Sequence, residues 1–421
     1  MTYFFILGNN PTLSIAEIIS VVSEDIDKIQ EISSEFLILK TKKSLDADDL
    51  QKRLGGTIKI GQIIGKTELD ASDLAEKIIE ILPRGFKKIY FGFSVYPVRS
   101  LKIYGGSNPP REFKNKKIEE RIKTVALGIK KNLREKGISS RWVSSKQQVL
   151  SSVIVKKNKL LNQGAEIVLL IGKNEVFLGK TLSCQEFEEY SFYDFARPFR
   201  VIEKGMLPPK LAKIMINLSS CSPRQGRDKV LLDPFCGSGT ILQQAVLMGY
   251  RNVIGTDKSK EAVVYSQKNL NWLVEKRKTR DNRPEIQVNI KIFQCDVREI
   301  SEKLSVNSVD FVVTEPYLGP LRITSDNQQS IIENLSGLYV SAFKELKKVL
   351  KPGGTMVVVF PVYNKLHFLP ILEELKKIGW RRQSLLPDFL LKNKVINITD
   401  RQSVIYSRPN QVVLREILIF K

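Results

Sequence analysis

The chain has 421 residues, more than one hydrophobic core organises, so two or three domains are expected. With 42% hydrophobic and 27% charged residues it is too apolar for a disordered chain, while its longest unbroken apolar runs, such as Met356–Phe360, fall far below the ~20 residues of a membrane span. Sixty-seven Lys and Arg against 45 Asp and Glu give a net charge of +22, which favours a polyanionic partner, nucleic acid before a membrane surface.

Residues 1–70 alternate short apolar runs (Tyr3–Leu7, Phe36–Leu39, Ile58–Ile64) with a helical stretch, Ser14–Val22, and predict a small α+β unit. The first residues, Met1-Thr-Tyr-Phe-Phe-Ile-Leu-Gly8, lack the basic start and apolar length of a signal peptide, so a cytoplasmic protein is expected. A helix at Leu74–Leu82 and a strand at Lys88–Phe93 lead into the most basic part of the chain. From Arg99 to Lys159 stand 17 Lys and Arg, 4 Glu and no Asp, a balance of +13. Within it Ile118, Ile122, Val125, Ile129 and Leu133 recur at helical spacing, one face of an amphipathic helix over 116–137. Lys114, Lys116, Lys117, Lys123, Lys130, Lys131 and Arg134 fall outside that face. Charge on one helix is ordinarily a solvated surface; its spread over several elements favours contacts to phosphates. Strands are predicted at Ser152–Val155 and Ile167–Ile171, and the stretch from Cys184 to Arg200 reads as a connector ending in Arg197-Pro198.

From Lys229 the pattern becomes strand, glycine turn, helix, repeated, which predicts a doubly wound parallel sheet with crossover helices. The strand Lys229–Asp233 runs into Pro234-Phe-Cys-Gly-Ser-Gly-Thr240, and a helix opens at Ile241. Glycines at 237 and 239 let the backbone approach a ligand, and the helix start offers free N–H groups. The loop has neither the dinucleotide fingerprint nor the phosphate-loop lysine. Two further strands, Asn252–Asp257 and Lys291–Asp296, also end in acids. Each acid alone could be a helix cap; three together, with Asp257 placed to accept from ribose hydroxyls and Asp296 from an adenine amine, indicate a nucleoside ligand.

Cysteine and histidine counts exclude other chemistry. Cys184, Cys221, Cys236 and Cys295 make no Cys-x-x-Cys pair, and His367 is the one histidine, so neither a metal site nor a disulfide scaffold nor a histidine triad is expected. Cys236, inside the loop, reads as a buried small residue and not a nucleophile. The strand Val309–Thr314 exits into Glu315-Pro316-Tyr317-Leu318-Gly319-Pro320.

The three strand ends resemble the S-adenosylmethionine site of class I methyltransferases, and Lys351-Pro-Gly-Gly354 resembles a turn late in that fold. The resemblance implies that Asp257 holds the ribose, Asp296 the adenine amine, and Gly237 and Gly239 accommodate the methionine part beside Asp233, with Phe235, Thr240, Lys258 and Val297 also binding the cofactor. Glu315-Pro316-Tyr317 is similar in place to the Asp/Asn-Pro-Pro-Tyr motif of exocyclic-amine methyltransferases. It implies Glu315 and the Pro316 carbonyl as acceptors of the amine N–H bonds, with Tyr317 stacking on the base. Glu stands for Asp/Asn and one proline is missing, so Tyr317 either stacks itself or takes the second proline position and leaves Leu318 at the aromatic one.

Glu188-Glu-Tyr-Ser-Phe-Tyr-Asp-Phe-Ala-Arg197-Pro198, Gly205-Met-Leu-Pro-Pro-Lys210, Gly179-Lys-Thr181 and Tyr406-Ser-Arg-Pro409 are similar to segments of the THUMP-domain tRNA (guanine-10 N2)-methyltransferase family. The likeness implies a ferredoxin-like domain (1–70), a THUMP RNA-binding domain (71–182), a connector (183–212) and a class I methyltransferase domain (213–421). It further implies tRNA as partner, S-adenosylmethionine as cofactor and guanosine N2 as target; oligomeric state stays open. Two other readings remain: DNA adenine or cytosine amino-methylation, and an RNA-binding protein whose methyltransferase domain has lapsed.

Overall fold

The computed structural model describes residues 1–68, 72–97, 116–172, 175–200, 206–219, 228–279, 287–320, 324–363, 366–367, 370–408 and 411–421. Lys114 lies outside the described residues. Two sheets organise the rest.

The first contains Thr2–Leu7 (β1), Ile26–Ile32 (β2), Phe36–Thr41 (β3), Thr57–Thr67 (β4), Lys88–Pro97 (β5), Ser139–Val143 (β6), Gly164–Ile171 (β7) and Val176–Cys184 (β8). Their order is β2-β3-β1-β4-β8-β7-β5-β6. β1 and β7 are apolar at nearly every position, so both faces must be covered, and both are inner strands. β4 pairs with β8, which joins the chain on either side of residue 70 in one sheet. The charged alternation in β2 hid that edge strand from a hydrophobic pattern search.

Helices Pro11–Val22 (α1), Ala47–Arg53 (α2), Leu74–Ile81 (α3) and Lys116–Glu135 (α4) pack on this sheet. On α4 the expected face is inward: Ile118, Val125, Ile129 and Leu133 are buried in a cluster with Ile78 and Phe91, and Ile122 is packed against it. Lys116, Lys117, Lys123, Lys130, Lys131 and Arg134 are exposed. The predicted strand at Ser152–Val155 is instead a helix, Ser152–Lys157 (α5). Ser151 caps it by accepting from the Ile154 N–H at 3.3 Å, and Val155 is buried; cap and burial outweigh the β-branched run.

The connector holds a helix, Phe187–Phe195 (α6), and is followed by Pro209–Leu218 (α7). α7 docks the two sheets together. A β-carbon at Gly55 would lie 2.3 Å from the Lys210 carbonyl oxygen, so only glycine allows this approach. Beside it the fully buried Glu17 accepts from the Gly55 and Gly56 N–H groups and from Asn217 Nδ2, at 2.8, 2.8 and 2.7 Å. Burial pushes the Glu17 carboxyl up to about 7.

The second sheet contains Val230–Asp233 (β9), Asn252–Asp257 (β10), Asn289–Gln294 (β11), Val309–Thr314 (β12), Leu350–Tyr363 (β13), Leu366–His367 (β14), Arg382–Gln383 (β15), Val404–Tyr406 (β16) and Val413–Phe420 (β17). The central order is β11-β10-β9-β12-β13-β17-β15. β9 to β13 are parallel and β17 is antiparallel to β13. Thr240–Met248 (α8), Lys260–Thr279 (α9) and Ser325–Val349 (α10) are the crossovers. The strand order reverses beside β9, where ligands bind in such sheets. No helix among the described residues is long and apolar enough to cross a membrane.

Candidate active site

β9 ends at Asp233, 2% exposed. Its Oδ1 accepts from Thr314 Oγ1 at 2.7 Å and from the Phe235 N–H at 3.3 Å. Burial pushes this carboxyl up to about 7, helped by the charges of Asp257 and Glu315. The chain then turns through Gly237 and Gly239, with φ of +50° and +82°. Gly239 caps α8, whose first residue is Thr240, and a β-carbon there would sit 2.5 Å from Ser266 Oγ. Asn269 of α9 holds the loop from the side: its Nδ2 donates to the carbonyls of Ser238 and Phe199, at 2.9 and 3.0 Å. Arg197, 5% exposed, donates to Thr240 Oγ1 at 3.0 Å and pairs with Asp194 at 3.1 Å. The connector therefore braces the glycine loop. Cys236 is buried and its thiol is pushed up by that burial, as expected of a packing residue.

Asp257 lies beside the loop. Its Oδ2 accepts from the Gly237 N–H at 3.1 Å and its Oδ1 from the Ser259 N–H at 2.9 Å. A β-carbon on Gly237 would meet nothing within 4 Å, so the loop is open on that side. Phe235 is half-buried, Lys258 is exposed and Val297 is buried. Asp296 caps a short turn and takes three bonds from Arg298, from its backbone N–H and from Nε and Nη2, which hold the carboxyl below the usual carboxylate range. A carboxylate has about four acceptor positions, so room for one further donor remains.

β12 brings Glu315 to the same end of the sheet, next to Thr314, which is bonded to Asp233. Pro316 is buried and Tyr317 is 57% exposed. Glu315 is engaged by a residue that the sequence pattern did not reveal as its partner. Arg415 of β17 donates from Nε to Oε2 at 2.5 Å and from Nη2 to Oε1 at 3.0 Å. Burial pushes the Glu315 carboxyl up, against the downward pull of Arg415. The loop beyond is fixed by two tyrosines, also unforeseen. Tyr339 donates to the Tyr317 carbonyl at 3.2 Å, and Tyr363 to those of Leu318 and Pro320 at 2.5 and 2.9 Å. Tyr317 thus has a pinned backbone and a ring that faces solvent. The basic residues of α4 lie on the other sheet.

This arrangement has relatives. The UPF0020 family, described as RMKL-like, methyltransferase domain, matches residues 197–382. The tRNA (guanine(10)-N2)-dimethyltransferase of Methanocaldococcus jannaschii is 26% identical over 342 residues, 79% of this chain and 83% of that protein. A probable tRNA (guanine(10)-N2)-dimethyltransferase of Methanothermococcus thermolithotrophicus is 33% identical over 127 residues, 30% of this chain and 70% of that protein. The crystal structure of TrmN from Thermus thermophilus has a similar fold, with a TM-score of 0.52 at 14% identity, covering 100% of this chain and 99% of that one. The chain belongs to the tRNA (guanine(10)-N2)-dimethyltransferase family.

Proposed function

We propose that the protein methylates the exocyclic N2 amine of guanosine 10 in tRNA, using S-adenosylmethionine. The observation that carries this is the 2.7 Å bond from Thr314 to Asp233, which couples the glycine loop to the strand end that presents Glu315. When bound, the cofactor would supply an electrophilic methyl group; as the amine nitrogen gained it, the sulfonium would become a neutral thioether and one amine hydrogen would leave as a proton to solvent. Asp257 would accept from the cofactor's ribose hydroxyls and Asp296 from its adenine amine, Gly237 and Gly239 would leave space for the methionine part beside Asp233, and Phe235, Thr240, Lys258 and Val297 would complete its surroundings.

The remaining chemistry is positioning. The lone pair of an aromatic amine is delocalised into the ring, so the nitrogen is a weak nucleophile. Glu315 and the Pro316 carbonyl accept its two N–H bonds and favour a pyramidal nitrogen, while Tyr317 stacks on the base and fixes the line of attack. The exposed ring of Tyr317 supports its choice over Leu318, which is half-buried. The sheet of residues 2–184, read as ferredoxin-like and THUMP domains, grips the RNA, with the cations of α4 on phosphates. A tRNA substrate implies a cytoplasmic enzyme.

The test is methyl transfer to tRNA and to duplex DNA. Glu315→Ala should lose incorporation into tRNA by about a thousandfold, with cofactor binding retained in calorimetry. Full activity in that variant, or transfer to DNA in preference to tRNA, would overturn the reading.

A further inference from the structure

The Arg415 fork deepens that reading and rests on it. Arg415 is 7% exposed, and it delivers one N–H to each oxygen of Glu315. A guanidinium does not give up its proton in proteins, so both oxygens face a permanent donor. The adjacent positive charge favours the ionised carboxylate over its acid form, and the free lone pairs of a carboxylate only accept. This matters because the candidate bases differ at the ring nitrogen next to the amine. Guanine carries a hydrogen at N1, nearly parallel to the amine N–H, so one oxygen lying between them accepts from both. Adenine N1 and cytosine N3 present lone pairs there, which an acceptor repels.

We propose that Arg415 is a specificity-determining positioning residue, which makes Glu315 acceptor-only and so selects guanine over adenine and cytosine. An Asp or Asn in this place would behave differently: an unpaired acid can take up a proton, and an amide can turn its N–H₂ toward a lone pair. The longer Glu side chain is what reaches the Arg415 fork across β13, which lies between β12 and β17. Other titratable groups surround the pair. Asp233 faces it from β9 and Tyr339 from α10, while Tyr406 of β16 faces Arg415. They are the same in all variants below, so a difference between variants reports on Glu315.

The probe is tRNA assembled with 2-aminopurine in place of guanosine 10. It keeps the 2-amine but has a lone pair at N1. Wild-type protein should prefer guanosine by about 30-fold or more in kcat/KM. In Arg415→Gln, kcat should fall and cofactor affinity stay unchanged. Its preference should collapse to about 3-fold, because without the downward pull of Arg415 burial favours the protonated, donating carboxyl, and it should recover as pH rises and that proton leaves. Arg415→Lys, which keeps the charge, should restore part of the preference. Equal use of both RNAs by wild type would overturn the proposal without any variant. So would an unchanged preference in a folded Arg415→Gln that still binds cofactor. An inert wild type on guanosine tRNA would instead overturn the function itself, and with it this inference; that control keeps the two failures apart.

Discussion

Each sheet sets a glutamate against a largely buried cation, Glu166 on Lys59 and Glu315 on Arg415, and the two pairs are unlike. In the first sheet Glu166 is fully buried and Lys59 is 1% exposed. Glu166 accepts from Lys59 and from Ser94 on one oxygen and from Thr181 on the other, and Lys59 also donates to the Leu150 carbonyl. The donors come from strands on both sides and close the site. In the second sheet Glu315 takes both its side-chain bonds from Arg415, and the next residues open onto an exposed tyrosine. Burial and a counter-charge alone therefore do not mark chemistry. On the function proposed above, acceptor capacity left over at an open strand end does.

The contrast can be broken by parallel substitutions. Glu315→Ala, by the largest effect, should remove methyl transfer by about a thousandfold. Because it also strands the buried Arg415 charge, Glu315→Gln is the companion that keeps a hydrogen-bonding group there. Glu166→Ala should do the reverse. It should cost about 3–5 kcal/mol of stability by stranding Lys59, with methyl transfer per folded molecule unchanged, as read by denaturant unfolding and active-site titration. If Glu166→Ala abolished turnover in folded protein, leftover acceptor capacity would not be what separates the two pairs.

A smaller effect separates the surfaces. Replacing Lys123, Lys130, Lys131 and Arg134 with Gln should weaken tRNA binding and flatten its dependence on salt by about three units of log–log slope. Cofactor affinity should not move. The smallest effect is on how stability changes with pH. Glu17 and Asp233 both rise to about 7 in the folded chain, from 4.5 and 3.8. Between those values and 7 the folded state holds more protons at these two groups than the unfolded one, so their contribution to stability is greatest at the acid end and falls as pH rises through 7. Thermal unfolding of the ligand-free protein at constant ionic strength should show that decline, and Glu17→Gln should flatten part of it.

Much of the site was legible because strand ends are. A buried strand is a short apolar run, and the first polar residue after it marks where the chain leaves the sheet; Asp233, Asp257 and Glu315 were visible on that basis. Asp296 was equally visible, although its three bonds from Arg298 were not. Arg415 could not be read as the partner of Glu315. One hundred residues separate them, and their meeting depends on the pairing of β17 with β13, which no local pattern encodes. The error at α5 has the opposite origin. Ser-Val-Ile-Val is a strand by propensity, and the Ser151 cap with burial of Val155 decides otherwise.

The close approach of Gly55 to α7 has a consequence for how the molecule can be taken apart. One apolar cluster runs from Phe5 and Ile18 through Leu211 and Met215 to Leu231 and Val357, without a break between the sheets. A cut in the connector would leave each half with a raw hydrophobic face. Heat should therefore melt both sheets in a single cooperative transition, and a catalytic half expressed alone should aggregate unless that face is recovered or redesigned.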